Sequence, residues 1–224
     1  MNTPAQLHID LVSDVACPWC AVGLWALDRA LAQLQGEVEA SIHPQPFELN
    51  PHMGPEGEDI TEHLGRKYGS TPEQQAQIRD NIRQRGAQVG FAFKAEGRGR
   101  IWNTLDAHRL LHWATAEGAA GQALALKKAL LTAYHGHAEN PSDPAVLLAL
   151  VQAVGMDVER ARQVLAQGEF ADEVRQQEAL WAGLGIRSVP AFVINRRHLI
   201  SGGQPPEVFV QALRQIAAEP PAQS

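Results

Sequence analysis

The feature that most limits what this chain can become is Cys17-Pro18-Trp19-Cys20, whose two cysteines are the only ones in 224 residues. Just upstream, Leu7, Ile9 and Leu11 alternate with His8 and Asp10, the period of a strand, until Ser13 and Asp14 break it. Just downstream the period becomes helical: Val22, Leu24, Trp25, Leu27, Leu31 and Leu34 make one apolar face, which Gln35 and Gly36 end. Pro18 suits the first turn of that helix, where a missing N–H leaves no hydrogen bond unmade. The cysteines therefore begin a helix that follows a strand. A chain of this length buries a core without disulfide staples, and the two cysteines have no other partner, so a framework of structural disulfides is excluded.

That position gives the two thiols different chemistry. Unpaired backbone N–H groups and the helix dipole favour an anion at Cys17, and such sites bring a cysteine pKa from about 8.5 down to roughly 3.5 to 7.5. Cys20, one turn further on, is expected behind Cys17 and more buried, close enough for a disulfide to close across the first turn. Cys17 is thus the candidate attacking thiol and Cys20 the candidate resolving thiol. Pro18 and Trp19 are expected to shape the site by rigidity and exclusion of solvent. Asp14 reads first as a turn or helix-start residue and second as a nearby carboxylate that opposes deprotonation of Cys17.

Beyond this unit, residues 38–47 read as a second strand, and Pro44 and Pro46 put its end on an edge. Residues 50–57 are rich in Pro and Gly, and the chain then turns helical for more than a hundred residues. Thr71-Pro72-Glu73 resembles a helix start, and residues 104–117, 121–134, 144–154 and 158–167 carry helical patterns. The loop holding Gly97, Arg98, Gly99 and Arg100 is expected to be exposed. After a helix at 171–181, Ala191-Phe192-Val193-Ile194 restores strand chemistry. Asn195 and Arg196 read as a turn, residues 198–201 as the other arm of a hairpin, and residues 206–217 as a last helix. Ser188-Val189-Pro190 precedes the Ala191 strand directly, which fits a cis X-Pro bond placed opposite the cysteines, with the Val189 backbone offered to an extended substrate.

A net charge of −6 gives no electrostatic reason for nucleic acid or an anionic membrane surface as partner. Residues 1–14 lack the basic and apolar regions of a signal peptide, and no stretch approaches the roughly 20 apolar residues of a membrane span. A cytoplasmic protein is expected.

Taken together, Cys17-Pro18-Trp19-Cys20 after a first strand, the helical block, and Gly185-Ile186-Arg187-Ser188-Val189-Pro190-Ala191-Phe192-Val193-Ile194 followed by Ser201-Gly202-Gly203-Gln204 resemble the DsbA family of thiol-disulfide oxidoreductases. Within it the FrnE-like branch is most similar, and Phe47-Glu48-Leu49-Asn50-Pro51 and Asn103-Thr104-Leu105-Asp106-Ala107-His108-Arg109-Leu110 extend the match over nearly the whole chain. The resemblance implies an α/β protein: a thioredoxin fold with an all-helical domain inserted between its second and third strands, with residues 1–55 and 170–224 in the former and 56–169 in the latter. It implies Cys17 as nucleophile, Cys20 as resolving thiol and Pro190 as the cis-proline. It implies no bound cofactor, with glutathione as an allowed co-substrate, and a disulfide-containing protein or small thiol as substrate. The motif names neither a redox partner nor an oligomeric state. Gly203 departs from the alanine found in many relatives.

Three other readings compete. A zinc site needs two further ligands, for which His135 with His137 or His108 with His112 have tolerable spacing, but no second cysteine pair accompanies them, and no metal is expected. His108 reads mainly as a structural or surface residue and secondarily as a proton-exchanging neighbour of the thiols. A glutathione-dependent transferase or isomerase of the kappa or 2-hydroxychromene-2-carboxylate isomerase type shares the architecture, but those relatives carry serine where Cys17 stands. A client-binding, chaperone-like module would rest only on apolar residues in a cleft.

Overall fold

The computed structural model describes residues 3–219. Strand β1 (Ala5–Ser13) runs into helix α1 (Pro18–Gln33), and β2 (Val38–Pro46) returns parallel to β1. Near the other end, β5 (Ala191–Ile194) lies antiparallel to β1 on its free side, and β6 (His198–Ser201) pairs with β5 as a hairpin. The four-stranded sheet has the order β2-β1-β5-β6, so the prolines of β2 lie on an edge. Asn195 and Arg196 both hold left-handed φ, +50° and +57°, in the hairpin turn. Helix α9 (Pro206–Ala217) is the last element among the described residues.

Period-two alternation assigns the two faces of the sheet. Leu7, Ile9, Leu11, Phe192 and Ile194 point to one side, where α1 and α9 bury them, and Phe192 meets Phe209 of α9 edge-on with centroids 4.8 Å apart. Val12 and Ala191 point to the other side, against Trp181 and Ile186. Because both faces of β1 are covered, Asp10 is also buried, although the alternation alone would leave it in water. Gln45 donates to its Oδ1 at 2.7 Å, and its Oδ2 lies 3.0 Å from the His8 ring.

Between β2 and β5 the chain forms the helical insertion: α2 (Ile60–Tyr68), α3 (Pro72–Val89), α4 (Leu105–Glu117), α5 (Gln122–Leu131), α6 (Pro144–Ala153) and α7 (Val158–Gln167). Helix α8 (Ala171–Gly183) then leads back to the sheet. Thr71 and Gln74 form a reciprocal capping box at the start of α3. The insertion also holds a two-residue antiparallel pairing of β3 (Glu58–Asp59) with β4 (Arg100–Ile101). Helix α5 was expected to run to residue 134, but from Thr132 to Gly136 the chain widens into a π-helical turn. No helix among the described residues is long and apolar enough to cross a membrane.

The insertion is joined to the cysteine unit through shared core. Val15 and Ala16, the two residues before Cys17, pack with Leu110, Leu126, Leu130 and Tyr134 of the insertion. In the other direction, Phe91 and Leu131 belong to the core around Cys20. The cysteine turn is thus clasped from both sides.

Candidate active site

Cys17 is the N-cap residue of α1, with extended backbone (φ −91°, ψ 114°) and Pro18 in the first turn. Its amide donates to the Asp14 carbonyl at 3.2 Å, and the Cys20 amide donates to the Cys17 carbonyl at 3.1 Å. Both thiols are free, and Cys20 is wholly buried while Cys17 retains 5% of its surface. That surface opens into a cleft of about 550 Å³ that Trp19 and Val189 also line. The Cys17 thiol points at the Val189 carbonyl, 3.6 Å away. The peptide bond from Val189 to Pro190 is cis.

Two glycines permit this arrangement. A Cβ on Gly23 would lie 3.0 Å from the Phe192 ring and 3.1 Å from Pro190 Cγ, so the bare backbone of α1 is what lets the helix meet the cis-proline segment. A Cβ on Gly203 would come within 3.1 Å of both the ring and the carbonyl of Trp19. Gly203 thus marks a close approach to the Cys17-Cys20 turn.

The environment separates the two thiols. At Cys17 the Cys20 thiol, donating to the sulfur, is the largest influence, and together with the N–H groups of Cys20 and Trp19 it outweighs burial and the Asp14 charge, so the Cys17 thiol is lowered from its ordinary range. At Cys20 burial comes first and the neighbouring Cys17 sulfur second, and they push its thiol well above that range.

Asp14 and His108 come together beneath the turn. Asp14 has no exposure, and its Oδ1 accepts from the Ala16 amide at 3.0 Å and faces His108 Nε2 at 3.4 Å, while its Oδ2 accepts from the Leu49 amide at 2.7 Å. Burial alone would raise its carboxyl, but the His108 hydrogen bond and charge and the two amides hold it below the ordinary value. Asp14 is therefore a turn residue through Ala16 and a charged neighbour of Cys17 at once. The two segments that carried much of the resemblance, around Leu49 and around His108, both end on this carboxylate.

Other residues stand at the site that the sequence does not assign to it, His135 being weighed there only as a zinc ligand and Arg98 only as part of an exposed loop. Arg98, in the loop expected to be exposed, is half-buried: its guanidinium donates to the Ala16 carbonyl at 2.7 Å and to His135 Nδ1 at 3.1 Å, and stacks over the Tyr134 ring at 4.9 Å. Gly97 and Gly99 hold φ of +79° and +74° on either side, which turns the loop inward. His135 stands in the π-helical turn, and its Nε2–H donates to the Val15 carbonyl at 2.9 Å. His135 and Arg98 thus fix the two carbonyls just before Cys17. Lys127 is also wholly buried and donates to the Ser13 carbonyl at 3.3 Å. Its signal in the sequence was a lysine among Ala123, Leu124, Leu130 and Leu131, on a face that should have been apolar throughout. Of the other histidines weighed as ligands, His112 stacks near Phe170 at 5.3 Å, away from the thiols.

Burial, followed by the Arg98 charge, holds His135 well below its ordinary 6.5, so the folded protein keeps it neutral. Below about pH 6.5 the unfolded chain takes up a proton that the folded chain refuses, and stability is lost as the pH falls toward the folded value. Denaturant unfolding of the wild type between pH 7 and 5 should show this slope, and His135→Gln should flatten it; an identical slope in both would remove His135 as its source.

With this geometry in hand, comparison with known proteins is informative. A family model described as a DSBA-like thioredoxin domain matches residues 8–214. A Streptomyces coelicolor protein of known structure, described as a probable DsbA oxidoreductase, is 34% identical, with a TM-score of 0.86 over 97% of this chain and 93% of that one. The uncharacterised Bacillus subtilis protein YwbO is 24% identical over 92% of this chain and 96% of its own length. The cytosolic disulfide reductase DsbM of Pseudomonas aeruginosa, solved with GSH, shares the fold at 17% identity, with a TM-score of 0.62 over 93% of this chain and 98% of that one. This chain sets a Cys-x-x-Cys at the start of α1 and a cis-proline beside its thiol on a thioredoxin-type sheet interrupted by helices, and it belongs to the DSBA-like thioredoxin domain family.

Proposed function

We propose that the protein is a thiol-disulfide oxidoreductase in which Cys17 exchanges with the substrate and Cys20 completes the exchange. The observation that carries this reading is the asymmetry of the two thiols: one lowered and opening on a cleft, the other raised and sealed one turn behind it. The Cys17 thiolate attacks a substrate disulfide; its S–S bond breaks, one thiolate leaves, and a mixed disulfide holds the other half. The Cys20 sulfur then attacks the Cys17 sulfur and releases the second thiolate, so that two electrons have passed from the protein to the substrate. Run backwards, the same steps oxidise a dithiol. Trp19, Pro18 and Val189 form the walls against which the substrate sulfur approaches, and the buried cis Pro190 holds Val189 in place.

The cleft supports a small anionic thiol as one co-substrate. Lys67, Arg79, Arg83, Lys94, Arg98 and Arg187 line it, and no carboxylate does so among the described residues, in a chain whose net charge is −6. Such a lining raises the local concentration of anions. Glutathione fits that chemistry, and P. aeruginosa DsbM was solved with it. The reading puts the protein in the cytosol, where a reduced glutathione pool would meet it.

Cys17→Ser should abolish turnover of a disulfide substrate, and Cys20→Ser should accumulate the mixed disulfide on Cys17, seen as an adduct by mass. Full activity in the Cys17→Ser variant would end the proposal. For the cleft, Arg79→Glu combined with Arg187→Glu should raise KM for oxidised glutathione by about tenfold, with a much smaller effect on a neutral disulfide of similar size. An equal loss on both substrates would show that the charges do not select the anion.

A further inference from the structure

Among the described residues, Lys127 is the wholly buried cation near the thiols that the exchange just described leaves without a task. It projects from α5 of the insertion, has no exposed surface, and its Nζ has one hydrogen-bond partner, the Ser13 carbonyl at 3.3 Å. An ammonium carries three donors, and burying it costs several kcal/mol unless an anion accompanies it. Leu124 and Leu131, one turn to either side of Lys127 on the same face of α5, pack in the core that holds Cys20, and the titratable groups whose charges reach the lysine are Cys20 and Cys17 of α1, Asp14 after β1 and His135 of the π-helical turn. His135 is itself a donor to Val15 and supplies no negative charge. Asp14 is negative, but both of its oxygens already accept, from the Ala16 and Leu49 amides and toward His108. Asp14 therefore offers Lys127 charge without a hydrogen bond, and the thiols are the other groups near it that can become anions.

We propose that Lys127 is the counter-charge of the Cys20 thiolate, a positioning residue that makes the buried sulfur competent to resolve the mixed disulfide. This rests on the assignment of Cys17 as the attacking thiol. Cys20 gives up its proton to solvent, its thiolate stands beside the ammonium, and as the Cys17–Cys20 bond forms the negative charge departs on the leaving thiolate. Lys127 is then balanced by Asp14. Burial pulls the lysine down while Cys20, Asp14 and Cys17 hold it up, in that order. The insertion would thus reach into the exchange reaction from the side opposite the cleft.

The test uses the full-length reduced protein and an excess of 5,5′-dithiobis(2-nitrobenzoate). Attack by Cys17 releases one thionitrobenzoate, and resolution by Cys20 releases the second, so two phases report the two sulfurs separately. In Lys127→Met the first phase should change little. The second should slow by about three- to tenfold near pH 7, because a tenfold loss of thiolate is partly offset by the greater nucleophilicity of a more basic sulfur. Its pH profile should move to higher pH, which a merely structural effect would not produce. An unchanged second phase in a folded variant overturns the proposal, whereas absence of the first phase in the wild type overturns the assignment of Cys17 instead. Should Lys127→Met fail to fold, the ¹⁵Nζ resonance of Lys127 in the wild type should shift between the dithiol and disulfide forms; a resonance indifferent to redox state is likewise contradictory.

Discussion

Beneath the cysteine turn lies a carboxylate with no access to water, and the site is assembled around it. Asp14 cannot be buried as an anion unless its oxygens are met by donors, and the donors come from Ala16 beside it and from two distant stretches of chain, Leu49 after β2 and His108 on α4 of the insertion. Satisfying one buried charge therefore fixes where the second strand exits and where the insertion docks. Removing any donor would leave an unpaired charge in the core, a loss of several kcal/mol. Asp14 opposes the ionisation of Cys17, so the thiolate must be favoured by closer groups, and the Cys20 thiol with the first amides of α1 supply that.

The insertion does more than roof the cleft. Through Arg98 and His135 it holds the carbonyls of Ala16 and Val15, and through Lys127 it brings a buried cation to the carbonyl of Ser13. The loop and the π-helical turn that carry Arg98 and His135 are irregular backbone, and each is oriented inward. Local order near a reactive thiol is thus built from segments that are neither α-helix nor strand, held by side-chain donors on main-chain oxygens. The cleft itself combines this frame with a cationic lining, so recognition of charge and control of the thiols come from neighbouring residues such as Arg98 that take part in both.

Much of this was legible from residue order. The change of period at Cys17, the proline-bearing edge strand, the Ala191–Ile194 strand and the turn at Asn195 all depend on local chemistry and appear in the structure within a residue or two. What local patterns did not give were features decided by tertiary burial. Asp10 is inside because β1 is covered on both faces, and Arg98 is turned inward by two glycines whose φ cannot be read from sequence. Helix α5 ends early because its continuation widens to aim His135 at Val15. Lys127 shows the limit most clearly: on an apolar helix face a lysine can snorkel or be buried, and only the surrounding fold decides which.

The central claim is that Cys17 and Cys20 form one reversible redox pair, and the most direct measurement is their equilibrium against a series of glutathione buffers, read by mass after alkylation. The account predicts a single intramolecular disulfide that forms and breaks reversibly, with a potential within the range of about −270 to −120 mV spanned by thioredoxin-type proteins. Thiols that stay reduced across every buffer, or that yield only glutathione adducts and never the internal disulfide, would contradict it.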